Sequence, residues 1–129
     1  MREIKFRGKR IDDGEWVVGD LTRYSNVKSI IVVDLVEGEE PWVLTETVGQ
    51  YTGLKDKNEI GIYEGDVVGK NGYWSFIVEF DNGSFRLNPL DIVQSRNWEH
   101  RTLTNEWLLI GFEVLGNIYD NPELLEVQE

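Results

Sequence analysis

Apolar and polar residues alternate from the start of the chain. Ile4 and Phe6 fall on one side and Glu3, Lys5 and Arg7 on the other, the period-2 signature of a half-buried strand. Asp12-Asp13-Gly14 follows, placing a residue that tolerates positive φ where a hairpin must reverse, and 15–24 reads as the returning strand, with Gly19 as a candidate bulge. Residues 29–36 are apolar on both faces, Ile30, Val32 and Val36 against Ile31, Val33 and Leu35, which predicts a central strand. Glu37-Gly38-Glu39-Glu40-Pro41 ends it.

Residues 49–65 carry four glycines and no sustained period. They read as a long connection between two lobes, and long ordered loops are often functional. Beyond them 66–70 is a short strand, Asn71-Gly72 a turn, and 73–80 the cleanest alternation in the chain, with Trp74, Phe76, Val78 and Phe80 on one face. Asn82-Gly83 turns the chain into 84–87, where Phe85 and Leu87 continue that face. Asn88-Pro89 closes the meander, and 89–95 fits a helical turn with Pro at its first position. Residues 106–119 read as one long strand, with Leu108, Ile110, Phe112 and Val114 on one face and a break at Gly116. Asn121-Pro122-Glu123 starts a short closing helix, with Asn as the cap.

Many short strands joined by Asp/Asn-Gly turns predict an all-β fold: two small β-barrel or sandwich lobes with a short C-terminal helical turn. The expected domains are an N-terminal β lobe at 1–54 and a C-terminal lobe at 55–129 that includes the connecting segment. At 129 residues the chain has material for one core or two small ones.

The chemistry available is narrow. The absence of cysteine removes disulfides, thiolate metal sites and a cysteine nucleophile, and His100 alone cannot build a multi-histidine site. The net charge of −11 is uneven: residues 1–10 hold Arg2, Lys5, Arg7, Lys9 and Arg10 against Glu3, whereas six acids and no base follow from Thr102 onward. Acidity of this kind disfavours direct nucleic-acid binding and association with lipid headgroups. The basic start reads either as an edge strand guarded by charge or as one half of a self-complementary surface whose other half is acidic. No targeting segment and no run of about 18 apolar residues is visible, so a cytoplasmic protein without a membrane partner is expected.

Three segments, MREIKFRGKR at the start, VGQYTGLKDKNEIGIYEGDVV at the centre and GNIYDNPELL near the end, together resemble the YopX family of phage and prophage proteins. The resemblance covers essentially the whole chain, in order. It differs at one place, since the family usually has Gly after Asp-Lys-Asn whereas Glu59 stands here. The resemblance implies a two-lobed all-β fold, a phage or prophage setting in the bacterial host cytoplasm, self-association, and no established reaction. The start Gly65-Asp66-Val67-Val68, followed by a hairpin and an Ile-Val-Glu-Phe strand, is similar to SH3-like barrels, so the C-terminal lobe is expected to be SH3-like.

Candidate residues are drawn from the central segment. Gln50, Tyr51, Thr52, Lys55 and Tyr63 can form a polar-aromatic recognition surface, and Tyr51 and Tyr63 can alternatively seal a seam. Glu64 and Asp66, two apart, would leave one face of a strand as a carboxylate pair able to share acid and base roles or bind a hard cation. Against this, Gly65 permits a turn in which Asp66 accepts backbone N–H bonds. No phosphate loop, dinucleotide fingerprint or calcium-loop spacing occurs, and no cofactor or metal is expected. The five tryptophans lack the basic surroundings of a base-stacking platform. The leading expectation is a non-enzymatic phage accessory protein that binds copies of itself and a host or phage protein. The alternatives are a small carboxylate enzyme or metal-binding protein using Glu64 and Asp66, and an acidic DNA mimic that inhibits a host nuclease or regulator.

Overall fold

The computed structural model describes residues 3–23, 25–26, 28–32, 42–70, 74–90, 101–102 and 111–125. The chain divides into two compact units, Met1–Tyr51 and Thr52–Glu129. Both are built from antiparallel strands, and helical structure among the described residues is limited to two 3-10 turns. The fold is all-β. No helix among the described residues is long and apolar enough to cross a membrane.

The first unit contains β1 (Phe6–Lys9), β2 (Trp16–Arg23), β3 (Lys28–Val32), β4 (Trp42–Leu44) and the opening residues of β5 (Gly49–Lys55), in the order β4-β3-β2-β1-β5. The β1–β2 hairpin reverses where the sequence places Gly14, at φ +73, with Arg10 N donating to Glu15 O at 2.9 Å. Asp13 Oδ1 accepts the Glu15 N–H at 3.0 Å, the local bond that makes Asp a turn residue. The Arg10 guanidinium bonds the Asp12 carboxylate, which holds that carboxyl below the ordinary aspartate range. Strand β2 pairs with β1 through Gly19 and with β3 from Asp20 onward. Gly19 stands in register opposite Phe6, so the bulge expected there is absent; glycine serves at the point where the strand changes partner.

Basic β1 is an interior strand, not the charge-guarded edge that its composition suggested. Its cations lie over aromatic rings on one face, where they leave both edges of the backbone open to pairing. Beneath β3 and β4 the unit buries Val43 together with hydroxyls. Ser29 Oγ and Thr45 Oγ1 are 2.7 Å apart, Thr45 Oγ1 donates to Ser25 O, and Thr47 Oγ1 donates to Leu44 O while accepting the Lys9 N–H at 2.9 Å. Each buried hydroxyl thus has a partner, as burial requires.

The second unit holds the rest of β5, β6 (Gly61–Tyr63), β7 (Asp66–Lys70), β8 (Trp74–Asp81), β9 (Ser84–Pro89), β10 (Arg101–Thr102) and β11 (Glu113–Asn117). Its five-stranded sheet runs β10-β9-β8-β7-β11. Phe76, Val78 and Leu87, on the face predicted for them, join Ile62, Val68 and Phe112 in a core onto which Leu54, Phe85 and Val114 pack. Phe76 and Phe112 stack at 5.4 Å between centroids. Burying each such side chain contributes about 1.5–3 kcal/mol. Phe80, expected to belong to this face, runs past the core and is 52% exposed, packing edge-on against Phe85.

Three sequence expectations are corrected here. Residues 49–65 form strand, turn and strand, not a loop; glycines at 49 and 53 remove the side chains that would have shown the alternation. Of the strand predicted over 106–119, residues 106–110 lie outside the described residues, and within the rest β11 runs Glu113–Asn117 after a turn at Gly111, φ +103. That strand then continues through Gly116 by a bulge between Val114 and Gly116. The closing 3-10 turn spans Pro122–Leu125, as its Asn-Pro start predicted, but the Asn121 side chain reaches back to accept the Asn117 N–H at 3.2 Å. The Asn71-Gly72 turn, most of 89–95, strand positions 33–36 and His100 lie outside the described residues.

Candidate functional site

Strands β5 and β6 are joined by Asp56-Lys57-Asn58-Glu59-Ile60, closed by Glu59 N to Asp56 O at 3.0 Å and Asp56 N to Ile60 O at 2.9 Å. This is a tight turn followed by a left-handed residue, a common three-residue hairpin loop. The left-handed residue is Glu59, at φ +63. What holds a glutamate there is Asp56, 4% exposed, whose Oδ1 accepts the N–H groups of Asn58 (2.8 Å) and Ile60 (3.0 Å). Its Oδ2 accepts the N–H of Val114 on β11 at 2.9 Å. Asn58 Nδ2 and Lys57 Nζ also reach Glu113 Oε2, at 3.0 and 3.7 Å. Three backbone donors on one buried carboxylate satisfy the charge that burial would otherwise penalise. Asp56 did not figure among the candidates. Its sequence signal is an aspartate at the first position of a turn, two residues before an asparagine.

The candidate residues fall on both units. Gln50 and Tyr51 lie at the start of β5, opposite β1. Gln50 is half-buried, and Tyr51 is buried, with its N–H bonded to Lys5 O and Lys5 Nζ 4.5 Å from its ring. In the second unit, Thr52 is half-buried, with Oγ1 accepting the Leu54 N–H at 3.2 Å, and Lys55 is exposed at the strand end. Tyr63 is buried at the end of β6. Glu64 and Gly65 form the turn into β7, with Gly65 at φ +93. Glu64 and Asp66 therefore do not share one strand face. Asp66, 1% exposed, accepts the Tyr63 N–H on Oδ2 at 2.8 Å, which pins the turn. Among the described residues no group of three or more His, Cys, Asp or Glu is placed to hold a metal ion.

A second constellation went unnoticed in the sequence. Lys5, just before β1, alternates with Arg7 and Lys9 on it, and the register sets Val18 opposite Arg7 and Trp16 opposite Lys9. Cross-strand partners share a face. Arg7 lies 4.7 Å and Lys9 5.7 Å from the Trp16 ring, so cations bracket an aromatic beside an exposed Val18. The β1 alternation was legible, but pairing it with Trp16 required the register of a hairpin whose turn length the sequence left open.

No curated protein matches the chain. Among solved structures the chain is similar to the crystal structure of protein EF1440 from Enterococcus faecalis, with a TM-score of 0.60 and 24% identity over 98% of this chain and 100% of that one. That likeness speaks to the fold. The family model described as YopX protein matches residues 5–126, from β1 through the closing 3-10 turn. The chain belongs to the YopX family.

Proposed function

We propose that this YopX-family chain is a non-enzymatic accessory protein, encoded by a phage or prophage and working in the host cytoplasm, that acts by binding copies of itself and a further host or phage protein. On this reading the domains are 1–54 and 55–129, and the second is an SH3-like interaction lobe. The observation that carries the proposal is apolar surface on strand faces and hairpin ends. Val18 is exposed beside a half-buried Trp16, and Phe80 is exposed against Phe85 next to the Asn82-Gly83 turn. Apolar side chains so placed gain free energy when a partner covers them. The candidate carboxylates lend further support, since Asp66 already spends Oδ2 on a backbone N–H.

Sedimentation equilibrium of the full chain tests the reading. A mass above that of the monomer, 15.0 kDa, is expected across micromolar concentrations. A monomer throughout the range would remove self-association from the proposal.

A further inference from the structure

We infer that Asn82-Gly83, the turn between β8 and β9, is a site of spontaneous deamidation, where the folded chain slowly replaces its asparagine by aspartate and isoaspartate. The chemistry needs no partner and stands apart from the function proposed above.

Asparagine is thermolabile where the backbone nitrogen of the next residue can reach its side-chain carbon. The Gly83 nitrogen, having lost its proton to hydroxide, attacks Cγ of Asn82. A bond from Gly83 N to Cγ forms, the Cγ–Nδ2 bond breaks, and Nδ2 takes a proton from water and leaves as ammonia, so that a cyclic imide remains. One water molecule then opens the ring. Addition at Cγ restores the ordinary chain as aspartate, whereas addition at the main-chain carbonyl carbon leaves Gly83 joined to Cγ, which is isoaspartate. The sum is one water consumed and one ammonia released, with no oxidant or reductant.

The described asparagines differ in what they offer this reaction. Asn88 and Asn121 precede proline, whose nitrogen has no proton to lose. Asn58 is tied through Nδ2 to Glu113, and Asn117 through Nδ2 to Asp120 while its Oδ1 accepts the N–H groups of Tyr119 and Asp120. Asn26 precedes Val27, whose branched side chain crowds the nitrogen. Asn82 precedes glycine, is exposed, and makes no side-chain hydrogen bond to the described residues. A Cβ built on Gly83 would meet no atom within 4 Å, so nothing crowds the attacking nitrogen, and the ladder closes across the turn at Asp81↔Ser84, outside Gly83. The turn must open for the attack, and a hairpin end is where local opening costs least. Asp13-Gly14 supplies the contrast: its side chain is a carboxylate, and Oδ1 accepts the Glu15 N–H at 3.0 Å and lies 3.6 Å from Arg10 Nε. Isoaspartate routes the main chain through Cβ and Cγ, one atom longer, so the two-residue turn loses the length that sets its geometry, and a carboxylate is added beside exposed Asp81.

Ageing of the full-length chain provides the test, with peptide mapping by tandem mass spectrometry and a synthetic peptide of residues 78–87 as the unfolded reference. Both are held at physiological temperature from neutral to mildly alkaline pH. The Asn82 peptide is expected to exchange an amino group for a hydroxyl, in aspartate and isoaspartate forms, at a rate that rises with hydroxide. In the folded chain that rate lies within about tenfold of the free peptide's, the slowing produced by a turn that opens at a cost of about 1.4 kcal/mol. Asn58, Asn117 and Asp13 stay intact over the same time. Asn71-Gly72 repeats the dipeptide outside the described residues, and its peptide is read separately. A folded chain in which Asn82 converts more slowly than that, or no faster than Asn58 and Asn117, overturns the inference. The deamidated pool, separated by anion exchange on its added charge, is expected to melt about 2–8 °C below Asn82→Asp, which carries the same charge on an ordinary backbone. Equal midpoints overturn the expected loosening of the turn.

Discussion

Replacing Glu59 by glycine should stabilise the protein, although it deletes every side-chain atom at that position. Glu59 occupies the left-handed position of the β5–β6 loop at φ +63, where an L side chain costs roughly 1–2 kcal/mol relative to its preferred backbone conformation. Glycine removes that cost but frees the unfolded chain, which returns roughly 0.4–1 kcal/mol. The net gain is about 0.5–1 kcal/mol. At a urea m-value of about 2 kcal/mol/M this moves the unfolding midpoint up by roughly 0.3–0.5 M, with m unchanged. A mirror experiment exists in the β1–β2 hairpin. Gly14 sits at φ +73, and a Cβ built there meets no atom within 4 Å, so Gly14→Ala tests backbone conformation alone and should lower the midpoint by a similar amount. Glu59→Gln controls for removing one acid from a chain of net charge −11 and should stay near wild type. A Glu59→Gly variant no more stable than wild type, measured beside a destabilised Gly14→Ala, would refute the claim that the backbone at Glu59 is strained.

Asp56→Asn keeps an acceptor for Asn58 and Ile60 but turns a donor toward the Val114 N–H. Chemical denaturation should show a loss of about 2–3 kcal/mol, the scale of an unsatisfied buried group, and a loss below about 0.5 kcal/mol would deny the carboxylate its role. Gly116→Ala places a Cβ 2.4 Å from Asn121 Oδ1, the atom that accepts the Asn117 N–H. Thermal unfolding should report a loss of about 1–3 kcal/mol, as overpacking does, and an unchanged midpoint would mean that the Asn121 side chain yields freely. The Arg10 guanidinium stabilises ionised Asp12, so the Asp12 carboxyl titrates below the ordinary value of about 3.9. Its contribution to stability is then present above the unfolded-state value and is lost as pH falls through the lowered folded value. NMR titration of the Asp12 side chain reads this directly, and a midpoint at or above the ordinary value contradicts it.

The meander β7–β8–β9 was legible because several local signals agreed. Phe76 and Val78 alternate, Asn82-Gly83 supplies the two positive φ angles of a two-residue turn (+49 and +82), and Leu87 resumes the face. Legibility failed where a signal was missing or depended on distant pairing. The β5–β6 hairpin lost its alternation to Gly49 and Gly53, and its loop has glutamate where turn chemistry favours glycine or asparagine. The rule that Asn tolerates φ > 0 was satisfied at Asn82; at Glu59 the loop is held by Asp56, whose Oδ1 bonds are local but whose Oδ2 bond to Val114, 58 residues away, no window of sequence displays. For Glu64 and Asp66 the two-residue spacing was compatible with a strand or a turn, and Gly65 at φ +93 decides for the turn. The Trp16 face depended on hairpin register, which local composition does not fix.

The bond from Val114 to Asp56 also orders events in time. It joins positions 58 residues apart, whereas the other two donors to the same carboxylate lie within four residues of it. The β5–β6 hairpin can therefore close on the microsecond scale of local structure, long before the large loop to β11 has been drawn shut. During synthesis at about 5–20 residues per second, that hairpin waits roughly 3–10 seconds for Val114 to be added, its aspartate holding the turn while Oδ2 lacks this donor. Completion of this joint thus reports arrival of the last strand of the sheet. A nascent chain stalled before Val114 would carry a formed hairpin whose carboxylate still faces water, and hydrogen exchange at the Asn58 and Ile60 amides would be protected ahead of that at Val114.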